Sequence, residues 1–185
     1  EHLPTSIIYH NFSHTLRVVK KTKELIIGEL IPEKEGLLLE IAAWFHDTGF
    51  VDGAKNHEEH SVKLAKKYLK EKLPDQDIAV IIKLIMATKI NHTPNNILEK
   101  IIRDADCSHL ASKKFHNTSN LLKEEFKLTK VQEYSELEWS KENISFLVNH
   151  KFYTNYAIEN WQENKQVNLL EAIKFNAKLE KDIKQ

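Results

Sequence analysis

Cysteine, glycine and proline are scarce in this sequence of 185 residues, which contains one, four and four of them respectively. A single cysteine, Cys107, excludes a disulfide framework within the chain and is typical of a reducing compartment. Few glycines and prolines interrupt the sequence, and apolar residues recur every three to four positions. We therefore predict an all-α fold.

Net charge and long apolar runs are also absent. Lysine plus arginine balances aspartate plus glutamate at 27 each, so no net field would draw the chain to nucleic acid or to an acidic membrane. The longest apolar runs, such as 41–45 and 78–82, are far shorter than the roughly 20 residues of a membrane span. No signal-peptide pattern opens the chain, so we expect a cytoplasmic protein without membrane contact. The sequence indicates no particular oligomeric state.

Helical periodicity continues without a convincing linker, repeat or low-complexity tract, which predicts one domain over residues 1–185. Apolar spacing predicts five core helices within about residues 9–112, at 13–30, 34–45, 56–73, 75–90 and 97–112. Residues 113–185 are expected to form helices that cover this core, including 118–126, 140–149 and 169–181. Asn56 with Glu59 three positions later is typical of a capping box at the third helix.

The second predicted helix ends in the most informative motif, Trp44-Phe45-His46-Asp47-Thr48-Gly49. Residues 37–45 leave this helix almost no polar face, which predicts a buried, central position. Gly49 suits the turn that follows. Two residue types that commonly bind metals, His46 and Asp47, therefore emerge at the edge of the core.

Neighbouring residues of a regular helix point about 100° apart, so His46 and Asp47 could reach one ion only if the backbone leaves helical geometry. Thr48-Gly49 makes that departure easy. Upstream lies His14, and downstream lie Asp104 and Asp106, for which helical spacing favours Asp106 without excluding Asp104. Two imidazoles and two carboxylates suit a divalent ion such as Mn²⁺, Fe²⁺, Zn²⁺ or Mg²⁺.

Each of these residues also has an interpretation without a metal. His14 could cap a helix or lie on the surface, and His46 could interact with the carbonyl groups at a helix end. Asp106 could be an ordinary exposed acid. Because all three coincidences would have to occur in the right order, we interpret the set as a metal site.

This ordered set resembles the HD superfamily of metal-dependent phosphohydrolases. The likeness extends from about Tyr9 to Leu110 and is carried by 9–15, 43–50, 56–61, 85–88 and 101–106. The resemblance implies a single HD-type helical domain, with a five-helix metal-binding core and C-terminal helices. It also implies one divalent ion, of Mn, Fe, Zn, Mg, Co or Ni, held by His14, His46, Asp47 and Asp106.

The same resemblance assigns roles to residues in the first turn of the third predicted helix. His57 matches a histidine that contacts phosphate or, in two-metal members, binds a second ion, and Glu58 beside it could carry a proton. A second ion would need His57 together with His60 or His92. Because His92 lies in a polar loop, we predict one tightly held ion and at most a weak second one.

Three further residues are assigned supporting roles. Arg17, one turn after His14, could donate to a bound phosphate or lie on the solvated face of its helix. His10 could orient His14 by a hydrogen bond. Asp104, the first acid of the pair, would support the ligands or the fold.

The resemblance implies hydrolysis of a phosphomonoester or phosphodiester of a small, nucleotide-like substrate. A water activated by the ion would attack phosphorus, His57 would steady or protonate a phosphate oxygen, and Glu58 or Asp47 would assist proton transfer. The alternative is a non-catalytic HD-fold module that senses nucleotides or binds proteins. Such a module would be expected to lose ligands, whereas all four candidates are present. Zero net charge and the lack of basic clusters argue against a nuclease.

Overall fold

A computed structural model describes residues 3–183 of the chain. Over these residues it contains eight α-helices, two short 3₁₀ helices and no β-strand, which confirms the all-α prediction. The α-helices are α1 (Phe12–Gly28), α2 (Glu33–Phe45), α3 (His57–Leu69), α4 (Asp75–Ala87), α5 (Ile97–Asp106), α6 (Phe115–Leu128), α7 (Glu136–Asn149) and α8 (Asn155–Asp182). The 3₁₀ helices are Thr48–Asp52 and Cys107–Ala111. None of these helices is both long and apolar enough to span a bilayer.

Several predicted helix ends differ from the structure: α3 ends at Leu69 rather than at residue 73, α4 ends at Ala87 rather than at residue 90, and α8 begins at Asn155 rather than at residue 169. Asn56 precedes α3 in the left-handed conformation, with φ 56°, and its side chain makes no capping hydrogen bond. The predicted capping box is therefore wrong, and the Glu59 carboxylate pairs instead with Lys89, at 2.5 Å between Oε1 and Nζ. Helix α5 ends at Asp106 rather than at residue 112, because the tighter 3₁₀ helix Cys107–Ala111 continues the chain.

Helix α2 lies at the centre of the core and packs against α1, α4 and α5. Leu39, Ala42 and Ala43 have no exposed surface. Trp44, however, is 39% exposed and stacks on Phe12, with ring centroids 6.2 Å apart. The helix is thus central, as predicted, but one edge of it reaches the surface. Its C-terminal end lies where α1 and α5 also meet α2.

A buried carboxylate on α5 joins the C-terminal helices to the core. Asp104 is completely buried and accepts hydrogen bonds from the Tyr153 N–H (3.0 Å), the Thr154 N–H (2.8 Å) and the Thr154 hydroxyl (2.8 Å). Burial raises the pKa of Asp104 to about 6, although the hydrogen bonds from Thr154 act in the opposite direction. Asp104 therefore supports the fold, one of its two expected roles, by holding the start of α8 against α5.

The start of α8 also approaches α1 closely. A Cβ atom added to Gly28 would lie 2.1 Å from the ring of Tyr156, so only glycine fits there without rearrangement. The next residue, Glu29, accepts a hydrogen bond of 2.6 Å from the Tyr156 N–H. The first helix of the core therefore contacts the last helix of the described chain.

We expect the substitution Thr154→Val to lower the free energy of unfolding by about 2–3 kcal/mol. It removes the hydroxyl that donates to Asp104 and that caps α8 by accepting from the Ala157 N–H, at 3.2 Å. Urea unfolding followed by circular dichroism measures the change. In the control Thr118→Val, the lost hydroxyl bonds only to the Lys114 carbonyl, and we expect a change below about 0.5 kcal/mol. Equal effects of the two substitutions would contradict the role given to Asp104.

Candidate metal centre

His14 lies in the first turn of α1, where the helix cap holds its backbone. The side-chain oxygen of Asn11 accepts hydrogen bonds from the N–H groups of Ser13 (2.8 Å) and His14 (3.2 Å). Asn11 itself has the extended backbone conformation that is typical of an N-cap residue. The polar residue before the helix thus fixes the backbone from which the buried His14 side chain projects.

His46 and Asp47 reach the same point because the backbone changes conformation between them. His46 keeps helical dihedral angles, with φ −52° and ψ −39°, whereas Asp47 has φ −109° and ψ 6°. As a result, His46 Nε2 lies 3.2 Å from Asp47 Oδ2. The other ring nitrogen of His46 lies 2.7 Å from the Ala43 carbonyl oxygen, so Nδ1–H donates there and Nε2 faces the cluster.

Helices α1, α2 and α5 bring all four predicted ligands together. His14 Nε2 lies 3.2 Å from His46 Nε2, 3.1 Å from Asp47 Oδ2 and 3.3 Å from Asp106 Oδ1. One potential ligand atom from each of His14, His46 and Asp106 lies within 4.8 Å of the other two. The side chain of Asp106 remains 27% exposed, whereas the other three are buried. The cluster therefore opens to the surface on the side of Asp106.

The donor set of this cluster fits a divalent cation. Asp47 Oδ2 is buried and accepts no hydrogen bond, so a lone pair of a carboxylate is left at the centre of the group. An unpartnered buried carboxylate oxygen is unfavourable unless another cation or donor compensates it. Two imidazole nitrogens and two carboxylates are the mixed nitrogen and oxygen set that borderline divalent ions accept.

The electrostatics of the cluster lead to the same conclusion. Burial by itself would lower the pKa of His46, but the neighbouring charge of Asp47 raises it to about 9. Burial would raise the pKa of Asp106, but the hydrogen bond with His14 lowers it to about 2. Without a metal, protons on the imidazoles thus balance the negative charges of the two carboxylates. A divalent cation would supply the same positive charge, and its binding would release those protons.

His57 borders the cluster at the start of α3. Its Nε2 lies 3.6 Å from Asp47 Oδ1 and 3.5 Å from Glu58 Oε1, and its side chain is 22% exposed. The ring stacks on Phe50, with ring centroids 4.1 Å apart. Asp47 therefore turns one oxygen to His14 and His46 and the other to His57.

Gly49 allows α3 to come this close to the end of α2. A Cβ atom at this position would lie 1.9 Å from the carbonyl oxygen of His57 and 2.6 Å from the backbone nitrogen of Ser61. The Gly49 N–H also donates to the Ser61 hydroxyl, at 2.8 Å. Gly49 lies in the 3₁₀ turn after α2, as expected, and it also permits the close approach of two backbones.

The structure gives Arg17 and His10 partners other than those predicted. A nitrogen of the Arg17 guanidinium lies 2.5 Å from Nδ1 of His14 and 3.4 Å from the Tyr9 hydroxyl oxygen, so Arg17 contacts a predicted ligand. The guanidinium packs beside the Tyr9 ring at 5.7 Å and does not lie on the solvated face of its helix. Its contact with phosphate stays a prediction. The place beside Nδ1 of His14 that was expected for His10 is thus taken by Arg17.

His10 pairs instead with Glu125 of α6. The Glu125 carboxylate is 2% exposed and accepts hydrogen bonds from the N–H groups of Tyr9 (2.7 Å) and His10 (3.0 Å), and it contacts His10 Nδ1. The ring of His10 stacks on Phe50 at 4.3 Å and lies 5.4 Å from the ring of His14. Sequence reasoning missed Glu125, because it lies 115 residues from His10 and outside every recognised motif.

The residues proposed for a second ion are not brought together. His60 Nδ1 lies 3.7 Å from Asp52 Oδ2, at the end of the 3₁₀ helix Thr48–Asp52. His92 Nε2 lies 2.8 Å from Glu99 Oε2, at the start of α5. Asp106 lies about 10 Å further along that helix, at 1.5 Å per residue. Of the three candidates, the structure brings only His57 close to the metal cluster.

Fold and site together define an all-helical domain with a buried histidine and aspartate cluster at the meeting point of three helices. A family model described as "HD domain" matches residues 11–111, which is more than half of the 185 residues. The chain therefore belongs to the HD domain family. Comparison with curated proteins gave no match, and comparison with solved structures gave none either.

The packing at Gly49 yields a stability prediction. We expect Gly49→Ala to lower the free energy of unfolding by more than about 3 kcal/mol, because the added methyl group would overlap the backbone of α3. Gly53→Ala is the matched control, since a Cβ there meets open space and only the φ of 109° is unfavourable. That control should cost about 1–2 kcal/mol. Urea unfolding of both variants makes the comparison, and equal losses would rule out the close approach as the reason for glycine.

Proposed function

We propose that the protein is a metal-dependent phosphohydrolase that cleaves a phosphomonoester or phosphodiester of a small, nucleotide-like substrate. The observation that carries the proposal is the convergence of His14, His46, Asp47 and Asp106 around a buried carboxylate oxygen without a hydrogen-bond partner. Membership of the HD domain family supports it, because the superfamily that the motifs resemble consists of metal-dependent phosphohydrolases.

In this proposal the four clustered side chains hold one divalent ion. When bound, such an ion lowers the pKa of a coordinated water and screens the charge of a phosphate. The hydrogen bond from His46 Nδ1–H to the Ala43 carbonyl oxygen keeps Nε2 free to bind. One ion is favoured over two, since His92 bonds to Glu99 and His60 lies beside Asp52, with 3.7 Å between Nδ1 and Oδ2.

Two histidines at the rim of the cluster are suited to handle protons. His57 Nε2 lies between Asp47 and Glu58, so a proton taken by His57 or Glu58 has a neighbouring group to share it. His10 is oriented by the buried Glu125, and its ring lies 6.2 Å from the ring of His57. We propose that these two histidines donate hydrogen bonds to phosphate oxygens or to the leaving group.

The exposure of the rim favours a small substrate. His10 is 20% exposed, His57 is 22% exposed and Asp106 is 27% exposed, whereas the ligands behind them are buried. A phosphate group can reach such a recess, but a folded or double-stranded nucleic acid would need a wider and more basic surface. The balanced charge of the chain agrees with a small-molecule substrate.

We expect Asp47→Ala to remove bound metal and to lower turnover more than about a hundredfold, because it deletes the oxygen shared by both imidazoles. Helicity measured by circular dichroism should change little. Metal content is measured by elemental analysis of the purified protein, and turnover is measured with the best substrate found. The control is Asp52→Ala, whose carboxylate is 61% exposed and contacts only His60. Full activity of metal-free Asp47→Ala protein would refute the proposed function.

The substrate is found by screening the protein with Mn²⁺, Mg²⁺, Zn²⁺, Co²⁺ and Ni²⁺ in turn. The panel should include nucleoside phosphates, cyclic nucleotides and aryl phosphates. Stoichiometric metal together with turnover supports the hydrolase. Metal-free protein that binds nucleotides without consuming them would support the non-catalytic module instead.

A second substitution tests the role of His10 independently of the metal. The Glu125 carboxylate has two oxygens for three N–H donors, which are the backbone N–H groups of Tyr9 and His10 and the Nδ1–H of His10. Glu125→Gln keeps only one of these oxygens, so the His10 ring loses its fixed orientation. We expect kcat to fall about tenfold to a hundredfold, with little change in KM or in metal content. Glu124→Gln, on the exposed face of the same helix, should leave kcat unchanged. Loss of metal in Glu125→Gln would show that Glu125 supports the ligands rather than His10.

A further inference from the structure

Helix α8 carries a second apolar face in addition to the one that packs on the protein. Its buried side contains Trp161 and Asn168 and contacts α7 and the 3₁₀ helix Cys107–Ala111. On the opposite side Val167, Leu170 and Ile173 are 47%, 58% and 45% exposed. These three residues recur at a spacing of three and so form a stripe along one side of the helix. Nothing else within residues 3–183 buries this stripe, which makes it a candidate surface for another helix.

Charges of opposite sign lie at the two ends of the stripe. Glu159 and Glu163 precede it, whereas Lys174, Lys178 and Lys181 follow it, and all five are exposed. Within residues 3–183 none of them belongs to an ion pair, unlike lysines such as those at positions 123, 127 and 141. The exposed side of α8 therefore carries two glutamates before the stripe and, after it, three lysines that are unpaired in the described part of the chain. Glu171 and Asp182 are also exposed, and Glu180 pairs with Lys141 of α7.

We propose that this face binds the same face of a second copy of the chain, with the two α8 helices antiparallel about a two-fold axis at Leu170. A residue that precedes Leu170 in one copy then faces the residue that follows Leu170 by the same number of positions in the other copy. Leu170 meets Leu170, Val167 meets Ile173, and Glu159 meets Lys181. A two-fold dimer requires a surface patch that is complementary to itself, and this patch meets that requirement. The pairing uses only the exposed face of α8, so it does not rest on the proposed function.

The distribution of charge selects the antiparallel arrangement. A parallel pair would bring Lys174 and Lys178 of one copy beside the same lysines of the other, which is unfavourable. In the antiparallel pair Glu163 of each copy lies beside Lys178 of the other. The two-fold axis generates each such ion pair twice.

Helix α7 widens the proposed interface. It runs antiparallel to α8, and its Lys141 pairs with Glu180 at 3.4 Å between Nζ and Oε1. This pairing sets Val148 at the level of Ile173, because Val148 lies seven residues after Lys141 and Ile173 lies seven residues before Glu180. Val148 is 58% exposed and so extends the apolar stripe sideways. The 28 residues of α8 span about 42 Å, which is long enough for an interface between two chains.

Sedimentation equilibrium of the whole chain tests the pairing. We expect a reversible dimer with twice the monomer mass of 21.6 kDa. Leu170→Glu should raise the dissociation constant more than about tenfold, because two carboxylates would meet at the axis. Leu121→Glu, at a residue that is 47% exposed on α6, is the matched control and should leave the dimer intact. A monomer at every concentration would overturn the proposal, and so would a dimer that resists Leu170→Glu.

An exchange of charges tests the orientation. Glu163→Lys and Lys178→Glu should each raise the dissociation constant severalfold, and the double substitution should restore the original value. In a Cys107→Ser background, Leu170→Cys should form a disulfide between two copies on mild oxidation, whereas Glu163→Cys should not. Cross-linking of both variants, or no rescue by the double substitution, would overturn the antiparallel arrangement.

Discussion

The compensation of two clustered carboxylates by two imidazoles is the interaction on which the rest of the structure depends. Asp47 is buried, and burial of an unpaired charge is costly enough that some cation must accompany it. His14 and His46 occupy the same pocket, and their protons or a divalent ion can provide that charge. Three helix ends must meet for this to happen, so the capped start of α1 and the break after α2 serve the same cluster.

The C-terminal helices contribute to the site although they lie outside the matched family region. Glu125 of α6 reaches back to His10 and orients a ring at the rim of the cluster. Asp104 of α5 faces away from the cluster and anchors α8 through Thr154. The two acids of α5 thus have different roles, because Asp106 lies with the predicted ligands whereas Asp104 joins the C-terminal helices to the core.

Helical periodicity predicted most elements because the apolar pattern of a helix is a local property of the sequence. It failed at the start of α3, where Asn56 has a left-handed backbone and does not cap the helix. Gly49 lies in the turn that the sequence predicted, but the sequence did not reveal that it also contacts the backbone of the next helix. His92 could be assigned only after the loop was seen to fold onto Glu99.

The sequence by itself determined the helical class and the order of candidate ligands, because both depend on residue type and short-range spacing. It also marked the break after His46, since neighbouring side chains cannot converge in a regular helix. Only the tertiary structure decided which partners surround the cluster. His10 bonds to Glu125 of α6, 115 residues further along the chain, and Asp104 accepts from Thr154 just before α8. Such contacts between distant residues leave no local pattern, because each side chain alone suits many partners.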